Sequence, residues 1–247
     1  MSLRNFLAGY DAGELEATRK VQTVGTDFSE LMRKYERFLD KDSFSEDEGK
    51  QFVGCNRDIT EILTPDEINS FLQATQQHES HRNYSWNTGS MVSRLIQNSY
   101  NKGYNNFLLN LKNDYFYTHD NIGIHLLGTE ATPLFLTIQG DVEHWCGEDA
   151  KYSSFTLSGD VGDCCGDGAQ YSSYVVKGNA KNCCGLNARN STFTFNGTVG
   201  NLFGDGAIYC TFKTPLWGNI EKIKEVIDTK NGNIIIYIDQ GKEVRIV

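Results

Sequence analysis

Between Asn121 and Thr214 the hydrophobic and polar positions recur every 19 residues, a period too long for one strand or helix and typical of a stacked repeat. From Gly140 the chain reads GDVEHWCGEDAKYSSFTLS, then GDVGDCCGDGAQYSSYVVK from Gly159, GNAKNCCGLNARNSTFTFN from Gly178 and GTVGNLFGDGAIYCTFKTP from Gly197. NIGIHLLGTEATPLFLTIQ from Asn121 is a fair upstream unit that keeps the glycine at position eight (Gly128), and KGYNNFLLNLKNDYFYTHD from Lys102 is a degenerate beginning. Stacked units about 4.8 Å apart make each column chemically uniform. Four columns are expected inside: Val142/Val161/Ala180/Val199, Ala150/Ala169/Ala188/Ala207, Phe155/Tyr174/Phe193/Phe212 and Leu157/Val176/Phe195. The last two alternate as a strand must. Columns of glycine headed by Gly140 and Gly147 mark tight bends, and the run Asp149, Gly168, Asn187, Gly206 marks a left-handed turn. The expected fold is mainly β, a solenoid of 19-residue turns.

The pattern before the solenoid is helical. Thr64-Pro65-Asp66-Glu67 has the form of a capping box, with Ile68, Phe71, Leu72 and Thr75 on one face. Phe28, Leu31, Met32, Tyr35, Phe38 and Leu39 define a helix capped near Thr26 or Asp27, and a third helix runs from about Thr88 to Tyr100. After the solenoid, Ile220, Ile223, Val226 and Ile227 form a short amphipathic helix, followed by a β-hairpin turning at Gln240-Gly241. Three regions are therefore expected: a helical segment 1–101, the solenoid 102–214 and a cap 215–247. An uncapped β-edge invites polymerisation, so the helices are expected to cover the first turn.

Charge narrows the partners. Lys and Arg number 23 against 32 Asp and Glu, a net charge of −9, and no third of the chain is basic. That composition speaks against a nucleic-acid or anionic-membrane partner and leaves a protein partner or self-association. Met1-Ser2-Leu3-Arg4 does not open a charged-then-apolar leader, and nowhere do 18 apolar residues run together, so a soluble cytoplasmic chain is expected. Seven cysteines, with adjacent pairs Cys164-Cys165 and Cys183-Cys184, suit reduced thiols better than a disulfide framework.

The glycine spacing in GDVGDCCGDGA and GTVGNLFGDGA resembles the G-x-x-G-x-x-x-G-x-G unit of the carboxy-terminal β-helix of glutamate synthase large subunits, a module also similar to one polypeptide of the formylmethanofuran dehydrogenases. The likeness covers about residues 121–214. It departs where the family places Met and then a Gly pair, at Ala169 and Tyr171-Ser172, and where cysteine pairs replace an aromatic-aliphatic pair. The resemblance implies a right-handed β-helix acting as a structural spacer, with no active site to transfer.

Several residues could carry chemistry. Cys146, Cys165 and Cys184 form a ladder that could hold a soft metal or a cluster, although Phe203 in the same column suits plain core packing. His78 and His81, three apart, could share a zinc on a helix, and His125 and His144 fall at position five of successive units. Asp141, Asp160, Asp163, Asp167 and Asp205 lack calcium-repeat spacing and read as turn hydrogen bonding. Tyr152, Tyr171 and Tyr209, with the Ser153/Ser172/Ser191 and Ser154/Ser173/Thr192/Thr211 columns, could form a polar and aromatic face for a partner. No catalytic set and no cofactor are assigned. The expected function is a non-catalytic structural or interaction module; the alternatives are a cysteine-rich metal or redox subunit of an oxidoreductase and, more remotely, a polysaccharide-active enzyme with paired carboxylates in a groove.

Overall fold

The computed structural model describes residues 27–40, 58–111 and 119–247; Thr26 and Cys55 lie outside them. The architecture is a mostly parallel sheet of eight strands, not closed into a barrel, with four α-helices among the described residues. The strands are β1 (Asn106–Asn110), β2 (Leu134–Gln139), β3 (Ser153–Leu157), β4 (Ser173–Val176), β5 (Thr192–Phe195), β6 (Thr211–Thr214), β7 (Ile234–Asp239) and β8 (Lys242–Arg245). They lie side by side in sequence order, parallel except for the β7–β8 hairpin. Gln240 and Gly241 both take positive φ (47° and 81°), as a two-residue hairpin with the sheet's twist requires.

From β2 to β6 the register advances by 19 residues at each step, with Leu134 opposite Ser153, Ser154 opposite Ser173, Ser173 opposite Thr192 and Thr192 opposite Thr211. Two further parallel ladders of single bridges keep that spacing, Val142–Val161–Ala180–Val199 and Lys151–Gln170–Arg189–Ile208. The four columns expected inside are buried. The rings of Phe155, Tyr174, Phe193 and Phe212 stack with centroids 4.7, 4.9 and 5.4 Å apart and planes within 8° of parallel. Each such contact stabilises by about 0.5–1.5 kcal/mol beyond its buried area. The one phenol among them donates to Gly147 O at 2.6 Å, so no polar atom is stranded.

The upstream unit departs from the expected register. Leu127 pairs with Lys151, 24 residues on, and Gly147 N donates to Ile122 O as Gly166 N donates to Cys146 O. Gly123, with φ 79°, thus takes the place of Gly147, and Gly128 does not. The exposed loop 129–133, closed on itself by Thr129 and Thr132, accounts for the five extra residues.

Three helices precede the repeat: α1 (Ser29–Leu39), α2 (Pro65–Thr75) and α3 (Tyr84–Tyr100). The capping box on α2 is complete, with Thr64 Oγ1 accepting from Glu67 N and Glu67 Oε2 accepting from Thr64 N. Its buried face is Ile68, Phe71, Leu72 and Thr75. At the start of α1, Asp27 Oδ1 accepts from Ser29 N at 2.9 Å. Helix α3 starts at Tyr84, four residues before Thr88, because its first turn carries polar residues with structural work: Asn83 and Asn87 donate to Leu39 O and Phe38 O and so close the end of α1.

Polar side chains from these helices close the first layer of the repeat. On α2, Asn69 Oδ1 accepts from Asn110 N at 2.8 Å and Gln73 Nε2 donates to Asn110 O at 2.6 Å. On α3, Ser93 Oγ accepts from Gly123 N, and Gln97 binds both N and O of Leu127. Gly89, one turn before Ser93, faces the same layer, and a Cβ there would collide with the Asp120 carbonyl. At the far end α4 (Trp217–Val226) and the turn before β7 repeat the device. Asn219 accepts from Val199 N and donates to Gly197 O, while Asn233 accepts from Cys210 N and donates to Ala207 O. Each amide offers the donor and acceptor that another backbone layer would offer, so interior backbone groups stay satisfied at both ends.

Candidate interaction surface and the buried thiol column

Cys146, Cys165 and Cys184 occupy one interior column, continued by Phe203 below and Ile122 above, and all five side chains are buried. All three cysteines are free. A hydrogen bond to Cys146, followed by burial, holds the Cys165 thiol well above its ordinary pKa; burial and then Cys165 do the same for Cys184. The neighbouring Cys164 is pushed up to about 12 by burial, with Cys183 adding to it. Thiolates are the form that ligates soft metals and attacks electrophiles, and this environment favours the neutral form. Among the described residues no group of three or more His, Cys, Asp or Glu side chains is placed to hold a metal ion.

The carboxylates of Asp141, Asp160 and Asp163 bond between layers. Asp141 Oδ1 accepts from Asp160 N, Asp160 Oδ1 from Asn179 N and Asn179 Oδ1 from Thr198 N, at 2.7–3.0 Å. A second ladder runs from His144 Nδ1 through Asp163 and Asn182 to Asn201 N. Between these ladders lies an open groove of about 480 Å³, crossed by an ion pair of Lys181 Nζ with Glu143 Oε2 at 3.0 Å. Its carboxylates are thus engaged in ladder bonds or neutralised, and supply no pair poised for acid-base work.

The histidines are separated. His78 closes a 3₁₀ turn (Gln76–His78) and faces Glu36 at 3.6 Å, while His81 faces Asp40 at 3.7 Å. Both dock α1, and each has its own carboxylate. The shifted register places His125 over Asp149, at 3.6 Å, and not over His144. Around it Glu148 is raised to about 7 by burial and by Asp149 and Asp167, burial raises Asp167, and burial lowers His125.

Tyr152, Tyr171 and Tyr209 lie in one outward-facing row with Asn190 between the last two. Tyr152 and Tyr171 stack at 5.0 Å and 10°, and Lys151 Nζ sits 5.7 Å from the Tyr152 ring centre. Tyr171 is 40% and Tyr209 67% exposed, and the Tyr209 ring rests on Gly232, where a Cβ would strike it. All four residues of the row take left-handed backbone, φ 48°, 51°, 51° and 53°. By contrast, the adjacent serines point inward: Ser153, Ser172 and Ser191 are buried, and Ser172 and Ser191 accept from the backbone N–H of the preceding layer's serine. That column is therefore an interior ladder, whereas Ser154, Ser173, Thr192 and Thr211 are half-buried on the other face of their strands, with Ser173 Oγ and Ser154 Oγ 2.9 Å apart.

The amide caps escape a reading of the sequence, although polar Asn87, Ser90 and Ser93 interrupting the buried stripe of α3 are the signal that could find them. Among the described residues no helix is long and apolar enough to cross a membrane. No protein-family model, curated protein or solved structure matches the chain.

Proposed function

We propose that the chain is a non-catalytic structural and interaction module: a right-handed β-helix of 19-residue turns, with interior backbone groups capped by side-chain amides at both ends, serving as a rigid spacer that offers its tyrosine row to a protein partner. One observation carries this reading. At a backbone position that Asn190 fills comfortably, three other layers place tyrosines in the left-handed region, at a cost of about 1–2 kcal/mol each. Tyr171 stacks on Tyr152 yet stays 40% exposed, Tyr209 is 67% exposed, and exposed aromatic residues are what interfaces use. The glycine spacing shared with the β-helix of glutamate synthase large subunits supports the spacer role, and the neutral buried thiols support a packing role for the cysteine column over a metal or redox one.

Photo-crosslinking tests the row. A photoreactive residue at Tyr171 or Tyr209 in the intact chain, in the expressing cell, is expected to give one discrete adduct, and the same residue at exposed Lys224 none. No adduct at either tyrosine, or equal adducts at all three sites, contradicts the proposal.

A further inference from the structure

The backbone at Asn110, Leu127, Val199 and Cys210 ends on side chains that imitate a strand, but that of β8 does not. It is the outermost strand of the sheet, all four of its residues are exposed, and among the described residues nothing pairs with its outer edge. The hairpin decides which groups face outward. Asp239 is opposite Lys242 and Tyr237 opposite Val244, and Ile246 N donates to Ile235 O at 2.8 Å. Antiparallel pairs alternate between bonded and non-bonded, so Lys242, Val244 and Ile246 turn their N–H and C=O toward β7, while Glu243 and Arg245 turn theirs to the open side.

We propose that this edge joins a second copy of the chain, antiparallel, about a two-fold axis at Val244. Outward-facing residues must meet outward-facing residues, which leaves three short registers for a symmetric seam. Glu243 opposite its own copy, or Arg245 opposite its own copy, sets like charges against each other and is destabilising. Glu243 opposite Arg245 of the other copy brings opposite charges together, and the two-fold axis makes that contact twice. In the same register Val244 meets Val244 of the copy. Its face also carries an exposed apolar cluster: Val244 is 45% exposed, its cross-strand partner is Tyr237, and Trp217, 52% exposed, packs on Tyr237 at 5.3 Å. Charged residues normally deter edge pairing, and here they deter every symmetric register but one. Glu243 also contacts Lys213 of its own chain on that outer face, and Arg245 Nε donates to Val247 O. Both contacts lie at the surface and leave the outward backbone groups of the strand open.

The seam uses none of the three tyrosines, so its failure would leave the reading of the row standing. Sedimentation of the full chain is the test, with circular dichroism confirming that each variant folds. The native chain is expected to pass from 27.8 kDa to twice that mass as its concentration rises through the micromolar range. Glu243→Arg alone and Arg245→Glu alone each set like charges opposite at both symmetric contacts, and each is expected to weaken the dimer by about tenfold or more. Mixing the two variants restores opposite charges at both contacts, and a heterodimer should form from two monomeric solutions. A native chain that stays monomeric up to about 200 µM overturns the proposal. So does a dimer unaffected by either substitution, or a failure of the mixed variants to associate.

Discussion

The side-chain amide of Asn219 stands against Val199 where the backbone of a further layer would stand, accepting from its N–H at 3.2 Å while donating to Gly197 O at 2.9 Å. Asn219 is buried, so no water can replace it without rearrangement. Asn219→Ala would strand the buried N–H of Val199, at about 1–3 kcal/mol, and leave the half-buried carbonyl of Gly197 without its amide donor. Asn219→Asp keeps the acceptor, loses the donor and buries a charge, and should be the worse of the two. Denaturant unfolding with both variants measures this; a loss below about 0.5 kcal/mol in each would show that the amide is not a cap.

Gly89 tests the other end. With no room for a Cβ against Asp120, Gly89→Ala should push α3 off the first layer and break the bonds of Ser93 and Gln97 to Gly123 and Leu127. Hydrogen exchange should rise by about tenfold or more at residues 119–127 while the layers from Gly159 to Asn196 stay protected. Unchanged protection at 119–127 would contradict the docking role of α3.

Glu148 makes stability depend on pH. Its pKa in the folded chain, about 7, lies above the 4.5 of the unfolded chain, so folding takes up a proton between those values. The stability it contributes is fully present below pH 4.5 and is lost as pH rises through 7. His125, whose pKa burial lowers, acts in the opposite sense below its ordinary 6.5, and Asp167, raised by burial, acts in the same sense as Glu148. Replacing Glu148 with Gln isolates its share: relative to Glu148→Gln, the native chain should lose melting temperature between pH 5 and pH 8. Parallel melting curves across that range would refute the assignment.

Buried thiols should be slow to react, and at Cys165 and Cys184 the raised pKa adds to the protection. In a Cys55→Ser background, a disulfide exchange reagent at pH 7 should label Cys146, Cys165 and Cys184 at least about tenfold more slowly in the native chain than in denaturant. Fast native labelling of any of the three, followed by mass mapping, would remove the basis for a packing role.

The parts of this molecule that are legible in its sequence are those that repeat. Phe155, Tyr174, Phe193 and Phe212 announce one stacked column because each supports the next, and the same logic exposes Val142 and Ala150 with their successors. The capping box at Thr64 is legible because its bonds are local. The layer ahead of Gly140 is not, since five looped residues displace it and Gly128 falls by coincidence where Gly147 is expected. Asn219, Asn233 and Gln97 are equally hidden: each bonds backbone 20 to 30 residues away, once, with no column to reveal it. Of the candidate site, the cysteine column and the tyrosine row are visible as columns, whereas the inward turn of Ser153, Ser172 and Ser191 depends on the left-handed residue just before each.

Native mass spectrometry of the full chain purified without oxygen tests most directly whether this is a structural module with a packed thiol interior. The expected spectrum contains only whole multiples of 27.8 kDa with no added mass. Additional mass matching iron, sulfide or zinc, lost on replacing Cys165 and Cys184, would contradict it and make the column a metal site.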